Sequence, residues 1–122
     1  MTKRPLQQIA QLRGLSDMVL QMRLSELQIA VQARAQTQSQ LQALAAPKPA
    51  IIDDGVHLQA ALHAAETHAV WVTGRRKELT ALLARETATW LDARDKARLA
   101  QGRDSALADL QKSLAKPPRD QT

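Results

Sequence analysis

Cysteine, tyrosine and phenylalanine are all missing from this chain of 122 residues, and Trp71 and Trp90 are its only aromatics. Without cysteine there are no disulfides and no thiolate metal sites, which fits a reducing compartment. Without Phe and Tyr, the large side chains that usually fill a compact globule are absent, so packing falls to Ala and Leu. Small residues at regular spacing suit a thin seam between helices. Proline is confined to three places: Pro5, Pro47 with Pro49, and Pro117 with Pro118. The glycines are scattered and form no phosphate-cradling loop. No apolar run approaches the roughly 20 residues of a membrane span, or the roughly 7–15 of a signal-peptide core. The expected location is cytoplasmic.

What is abundant is Ala, Leu, Gln and Arg, the vocabulary of long helices. The length suits one domain. Seventeen basic residues against twelve acidic ones give a formal charge of +5. That excess is compatible with nucleic acid, an anionic membrane surface or an acidic protein as partner, and equally with a solvated basic helix surface.

Proline is tolerated in the first turn of a helix and breaks one elsewhere, so residues about 5–46 and about 54–116 are free to be two uninterrupted helices. The segment about 46–53, with Ala46-Pro47-Lys48-Pro49-Ala50, is the expected loop, Asp53 or Asp54 is the expected N-cap, and a flexible C-terminal tail follows the second helix. In the second helix Leu58, Ala65, Val72, Leu79, Ala93, Ala100, Leu107 and Leu114 fall on one seven-residue repeat. Leu62, Ala69, Leu83, Trp90 and Ala97 fall on its companion, with Arg76, Glu86 and Asp104 as interruptions. In the first helix Leu15, Val19, Met22, Ala30, Ala33, Leu41 and Leu44 suggest an eleven-residue stripe. A kink is expected at Thr73-Gly74, where glycine weakens the helix by about 1 kcal/mol relative to Ala.

A short loop forces the helices antiparallel. The fold class read from the sequence is therefore all-α, a single antiparallel two-helix coiled-coil hairpin over residues 1–122 with a longer second helix. A turn centred near residue 50 pairs Leu41 with Gln59, Val19 with Ala81 and Leu6 with Arg94. Residues from about Lys96 to Lys116 are then expected to overhang without a partner.

Nothing points to catalysis. His57 and His68 share a helix face but stand roughly 16 Å apart, too far for one metal ion, and His63 points elsewhere. No cysteine is present as a nucleophile, and no Ser or Thr has a nearby His–Asp arrangement. No catalytic residue, metal site or cofactor is expected, nor a small-molecule substrate. The densest cationic stretch is Arg75, Arg76, Lys77, Arg94, Lys96, Arg98 and Arg103. Glu78, Asp92, Asp95 and Asp104 are interleaved with it, and Asp92–Lys96 and Asp95–Arg98 have ion-pair spacing. That self-neutralised face argues against a nucleic-acid reader.

Two features point to protein partners. Between Leu12 and Val31 the first helix is apolar over more than one stripe, and Leu20, Leu24, Leu27 and Val31 form a second apolar face, expected to take a hetero-partner, to pair with a second copy or to broaden the intramolecular seam. At the other extreme, Leu107, Leu110 and Leu114 make an amphipathic stripe on the expected overhang.

The layout resembles the FliJ/YscO family, the stalk proteins of flagellar and type III secretion export ATPases. The local likeness lies in Thr89-Trp90-Leu91-Asp92-Ala93-Arg94-Asp95-Lys96-Ala97-Arg98-Leu99, a bulky residue followed by Arg/Lys-rich turns with Leu or Ala in the seam. Pro5-Leu6-Gln7-Gln8-Ile9-Ala10-Gln11-Leu12-Arg13 is similar to that family's opening helix. The resemblance implies a stalk or adaptor that inserts one end into a hexameric export ATPase ring and touches a membrane-embedded export gate, with export chaperones as further partners. It implies a cytoplasmic protein, peripheral at a membrane export apparatus. The ATPase-facing set would be Leu6, Ile9, Arg13, Arg94, Arg98, Arg103, Leu107, Leu110 and Leu114. Two alternatives stand beside it: a self-associating coiled coil that builds a helical bundle by pairing first helices, and a basic nucleic-acid-binding helical protein.

Overall fold

In a computed structural model, which describes residues 3–45 and 57–116, the chain forms two α-helices, α1 (Lys3–Ala45) and α2 (Leu58–Ala115). They pack against each other as an all-α hairpin with the second helix longer, and no strand is present among the described residues. Pro5 lies in the first turn of α1, where its missing N–H leaves no helical hydrogen bond unmade. The His57 carbonyl accepts the Ala61 amide at 2.8 Å, so His57 holds the cap position of α2. The expected caps Asp53 and Asp54, and the prolines at 47, 49, 117 and 118, lie outside the described residues. α2 runs without a break through Gly74, and the Thr73 hydroxyl donates to the Ala69 carbonyl at 2.9 Å.

Contacts gather into two units, Met1–Val31 with Thr89–Thr122, and Gln32–Ala88. In the first, α1 turns inward a row that steps by three and four: Leu6, Ile9, Arg13, Ser16, Leu20, Arg23, Leu27 and Ala30. Ile9, Leu20 and Ala30 are buried, and Leu6, Ser16, Arg23 and Leu27 are half-buried. α2 contributes Ala93, Ala97 and Ala100, all buried, then half-buried Asp104, Leu107 and Gln111. Three alanines at this spacing let two backbones approach closely, and the facing leucines supply most of the apolar area. Arg13 reaches across to donate to the Gln111 side-chain oxygen at 2.8 Å.

In the second unit α1 turns Arg34, Thr37, Leu41 and Leu44 toward α2 residues Leu79, Leu83, Glu86 and Thr87. Thr37 is buried and its hydroxyl bonds the Glu86 carboxylate, while Arg34 Nε donates to the Thr87 hydroxyl at 3.1 Å. This is a polar layer in the middle of an apolar seam. Such a layer lowers stability relative to leucine but defines which residues face one another.

Three expectations need correction. The inward row of α1 is a heptad row, not the eleven-residue stripe. Leu15, Val19 and Met22 are exposed, and Leu20 and Leu27, expected on an outer face, are in the seam. The polar members Arg13, Ser16, Arg23 and Arg34 had hidden that row. The axial register is also different, because Arg13 meets Gln111 and Arg34 meets Thr87, a slip of roughly three heptads from the pairing that a turn at residue 50 requires. A slip by whole heptads keeps the same α2 face inward, so periodicity alone does not detect it. The third correction follows from the second: residues 96–116 are not an overhang. Ala97 and Ala100 are buried, Leu107 is half-buried and Gln111 is held by Arg13. It is the start of α2 that has no α1 residue beside it among the described residues. Leu44 and Leu79 line one cavity, α1 ends at Ala45, and Leu58, Leu62 and Val70 are exposed.

Candidate docking surface

Among the described residues no group of three or more His, Cys, Asp or Glu is placed to hold a metal ion, and the apolar grooves of the first unit open along its helix faces. The seam occupies one side of α1, and apolar side chains continue past both of its edges. No described side chain is completely enclosed, the expected property of a two-layer seam.

On one edge of the first unit, Leu12, Leu15, Val19 and Met22 stand exposed, with Met18 outside them and Ile29 further along. Between this edge and α2 runs a groove of about 190 Å³ lined by Leu12, Leu15, Ser16, Val19, Ala100, Arg103 and Leu107. Arg103 gives that groove a cationic border. Leu99 and Leu110 are exposed on the same helix, and Leu110 lies one turn beyond Leu107.

The opposite edge carries Leu24 and Val31, both exposed. Here a shallower groove of about 350 Å³ is lined by Leu24, Leu27, Arg94, Ala97, Arg98 and Gln101. The Arg94 guanidinium stacks over Trp90, 5.4 Å from its ring centroid, and donates to Asp95 at 3.4 Å. At 5.4 Å the Arg94 charge is within cation–π range, held over the Trp90 ring at the edge of the groove.

The residues picked from the sequence are therefore divided. Arg103 and Leu107 join Leu12 and Leu15, whereas Arg94 and Arg98 join Leu24 and Leu27 on the other edge. Leu6 and Ile9 are seam residues, Arg13 is engaged with Gln111, and Leu110 and Leu114 stay exposed near the end of α2. Leu12, Leu15, Met18, Met22 and Ile29 were not singled out as a surface. Counting in sevens from Leu6 through Leu20, Leu27 and Leu41 would have found them, because it assigns the inward row first.

The basic stretch is self-satisfied in part, and Asp95 meets Arg94 at 3.4 Å rather than the expected Arg98. Lys96 pairs with Asp92 at 3.0 Å and Arg75 with Glu78 at 3.3 Å, both exposed. A further cavity, about 310 Å³, is bordered by Ala10, Arg13, Gly14, Asp17, Asp104 and Gln111, and Asp104 Oδ1 is buried without a hydrogen-bond partner. No helix among the described residues is long and apolar enough to cross a membrane. No family model matches the chain, and neither a curated protein nor a solved structure does.

Proposed function

We propose that this chain is a coiled-coil stalk or adaptor of a flagellar or type III protein-export system, which docks on a hexameric export ATPase and links it to the export gate. One observation carries the reading: the first unit leaves unburied leucines on both helices beside guanidinium groups. Leu12 and Leu15 on α1 and Leu110 and Leu114 on α2 are exposed, Arg103 borders the groove of Leu12 and Leu15, and Arg98 borders the opposite groove beside Leu24. An apolar collar in a ring would grip such a two-helix end, and acidic groups at its rim would meet the arginines. The gripping element is thus a pair of helices rather than the single overhanging helix expected from the sequence.

A paired end also suits the mechanics of a stalk. A lone amphipathic end of about 20 residues is marginal in water, whereas a helix braced by a neighbour transmits torque without fraying. The gate and export chaperones would engage elsewhere, and a peripheral location at the membrane would follow from those partners.

The test is to titrate the chain into a hexameric export ATPase and follow hydrolysis. Stimulation is expected for the wild type and loss of it for Leu110→Glu with Leu114→Glu, exposed positions whose substitution should leave thermal unfolding within about 0.5 kcal/mol. No stimulation by the wild-type chain, or stimulation that survives both substitutions, overturns the reading.

A further inference from the structure

The outer edge of α1 in the first unit is itself a second seam. Leu12, Leu15, Val19 and Met22 step by three and four, and the same count continues through Glu26 to Ile29. Every apolar member is 40–65% exposed. A row repeating every three and four residues is matched by another helix, since only a helix offers holes at that spacing. We propose that this helix is α1 of a second copy of the chain, lying antiparallel across a two-fold axis.

Direction follows from charge. Glu26 is the only ionised side chain in the row. Parallel pairing would set Glu26 against Glu26 and place like charges together. Antiparallel pairing sets Leu12 against Ile29 of the second copy, Val19 against Met22, and Leu15 against Glu26. Leu15 shares its groove with Arg103, so each Glu26 arrives beside a guanidinium of the other copy. Glu26 already accepts from Arg23 of its own chain at 3.1 Å, and a carboxylate has lone pairs for both.

Extent points the same way. The row is polar at Gln8 before Leu12, and after Ile29 it shrinks to Ala33 and turns polar at Gln36. Antiparallel pairing about the midpoint makes the apolar run of one copy end where that of the other ends. A two-fold interface needs this self-complementarity, in which the contact of one residue with another is repeated in reverse. The groove between α1 and α2 gives the incoming helix a bed, with Leu107 and the Arg103 stem as its far wall.

The inference does not rest on the ATPase reading, because it concerns the chain alone in solution. Leu12, Leu15 and Arg103 belong to both surfaces, so the dimer is the partner-free form and a bound partner displaces the second copy.

Sedimentation equilibrium of the full chain should show a monomer–dimer equilibrium. Glu26→Arg and Arg103→Glu should each weaken it by about tenfold or more, and the double charge swap should return it to within about threefold of wild type. Circular dichroism on each variant checks that the helices remain. In a second measurement, Leu12→Cys mixed with Ile29→Cys should form an intermolecular disulfide on oxidation. Leu12→Cys alone should not, since its two copies would lie roughly 25 Å apart along the axis. A strictly monomeric chain, a disulfide formed by Leu12→Cys alone, or a charge swap that fails to restore association each overturns the proposal.

Discussion

Leu20→Ala and Leu15→Ala, five positions apart on α1, should differ several-fold in their effect on stability. Leu20 is 6% exposed and Leu15 is 60% exposed. Shortening leucine to alanine removes three carbon groups, at about 0.8 kcal/mol for each when fully buried, or about 2.4 kcal/mol in total. At Leu20 nearly all of that is lost, and a small cavity adds to it. The seam is only two helices thick, so water or a neighbour relaxes into the gap, and about 2–3 kcal/mol is the expected loss. At Leu15 less than half of the group is shielded, and alanine is the better helix former, so the loss should be under about 1 kcal/mol. For a chain of this size the Leu20 variant should melt about 6–12 °C lower. Urea unfolding followed by far-UV circular dichroism, in dilute solution where association does not contribute, measures both. If Leu15→Ala costs more than Leu20→Ala, the stripe read from hydrophobicity is the true core and the heptad row proposed here is wrong.

Register and helix continuity supply two more tests. Cysteines at Thr37 and Glu86, which are bonded across the seam, should form a disulfide within one chain, whereas the pair at Leu41 and Gln59 should remain reduced; the opposite result would restore a turn-centred register. At Gly14, Gly74 and Gly102 an added methyl meets no atom within 4 Å, so alanine at each should raise stability by up to about 1 kcal/mol, and a loss at Gly74 in urea unfolding would mean that the helix needs glycine there.

The two helices were unequally legible, and composition explains why. In α2 the inward positions are mostly apolar, so Val72, Leu79, Leu83, Ala93, Ala97, Ala100 and Leu107 stood out in the sequence and are buried or half-buried in the structure. In α1 the inward row alternates apolar residues with Arg13, Ser16, Arg23, Arg34 and Thr37, while a neighbouring row holds Leu15, Val19 and Met22 in unbroken succession. A reading by hydrophobicity selects the unbroken row. It is deceived because long arginine side chains cover a seam with their stems and carry their charge to its rim. The candidate surface inherited that error, since Leu20 and Leu27 were placed outside and Leu12, Leu15 and Met22 were not placed on a surface.

Register has a different origin, and it explains what the polar residues of the seam contribute. A row of alanines and leucines packs almost equally well after sliding by one heptad, because each layer resembles the next. Ala93, Ala97 and Ala100 offer little to distinguish one leucine from another. Hydrogen bonds across the seam do distinguish them. Moving by a heptad deprives buried Thr37 and half-buried Arg34, Glu86 and Thr87 of their partners, at about 1–3 kcal/mol for a group left unsatisfied. Exposed Arg13 turns to water instead, and its bond marks the register more weakly. The first unit carries Arg13 with Gln111, and the second carries Thr37 with Glu86 and Arg34 with Thr87. Each unit therefore has its own register mark, and sliding would sacrifice it. The same residues that obscure the seam in a hydrophobicity reading are the ones that determine how the helices align. Under the proposed docking on exposed rows of α1 and α2, that alignment decides which arginine of one helix stands beside which leucine of the other, and so sets the surface a partner would meet.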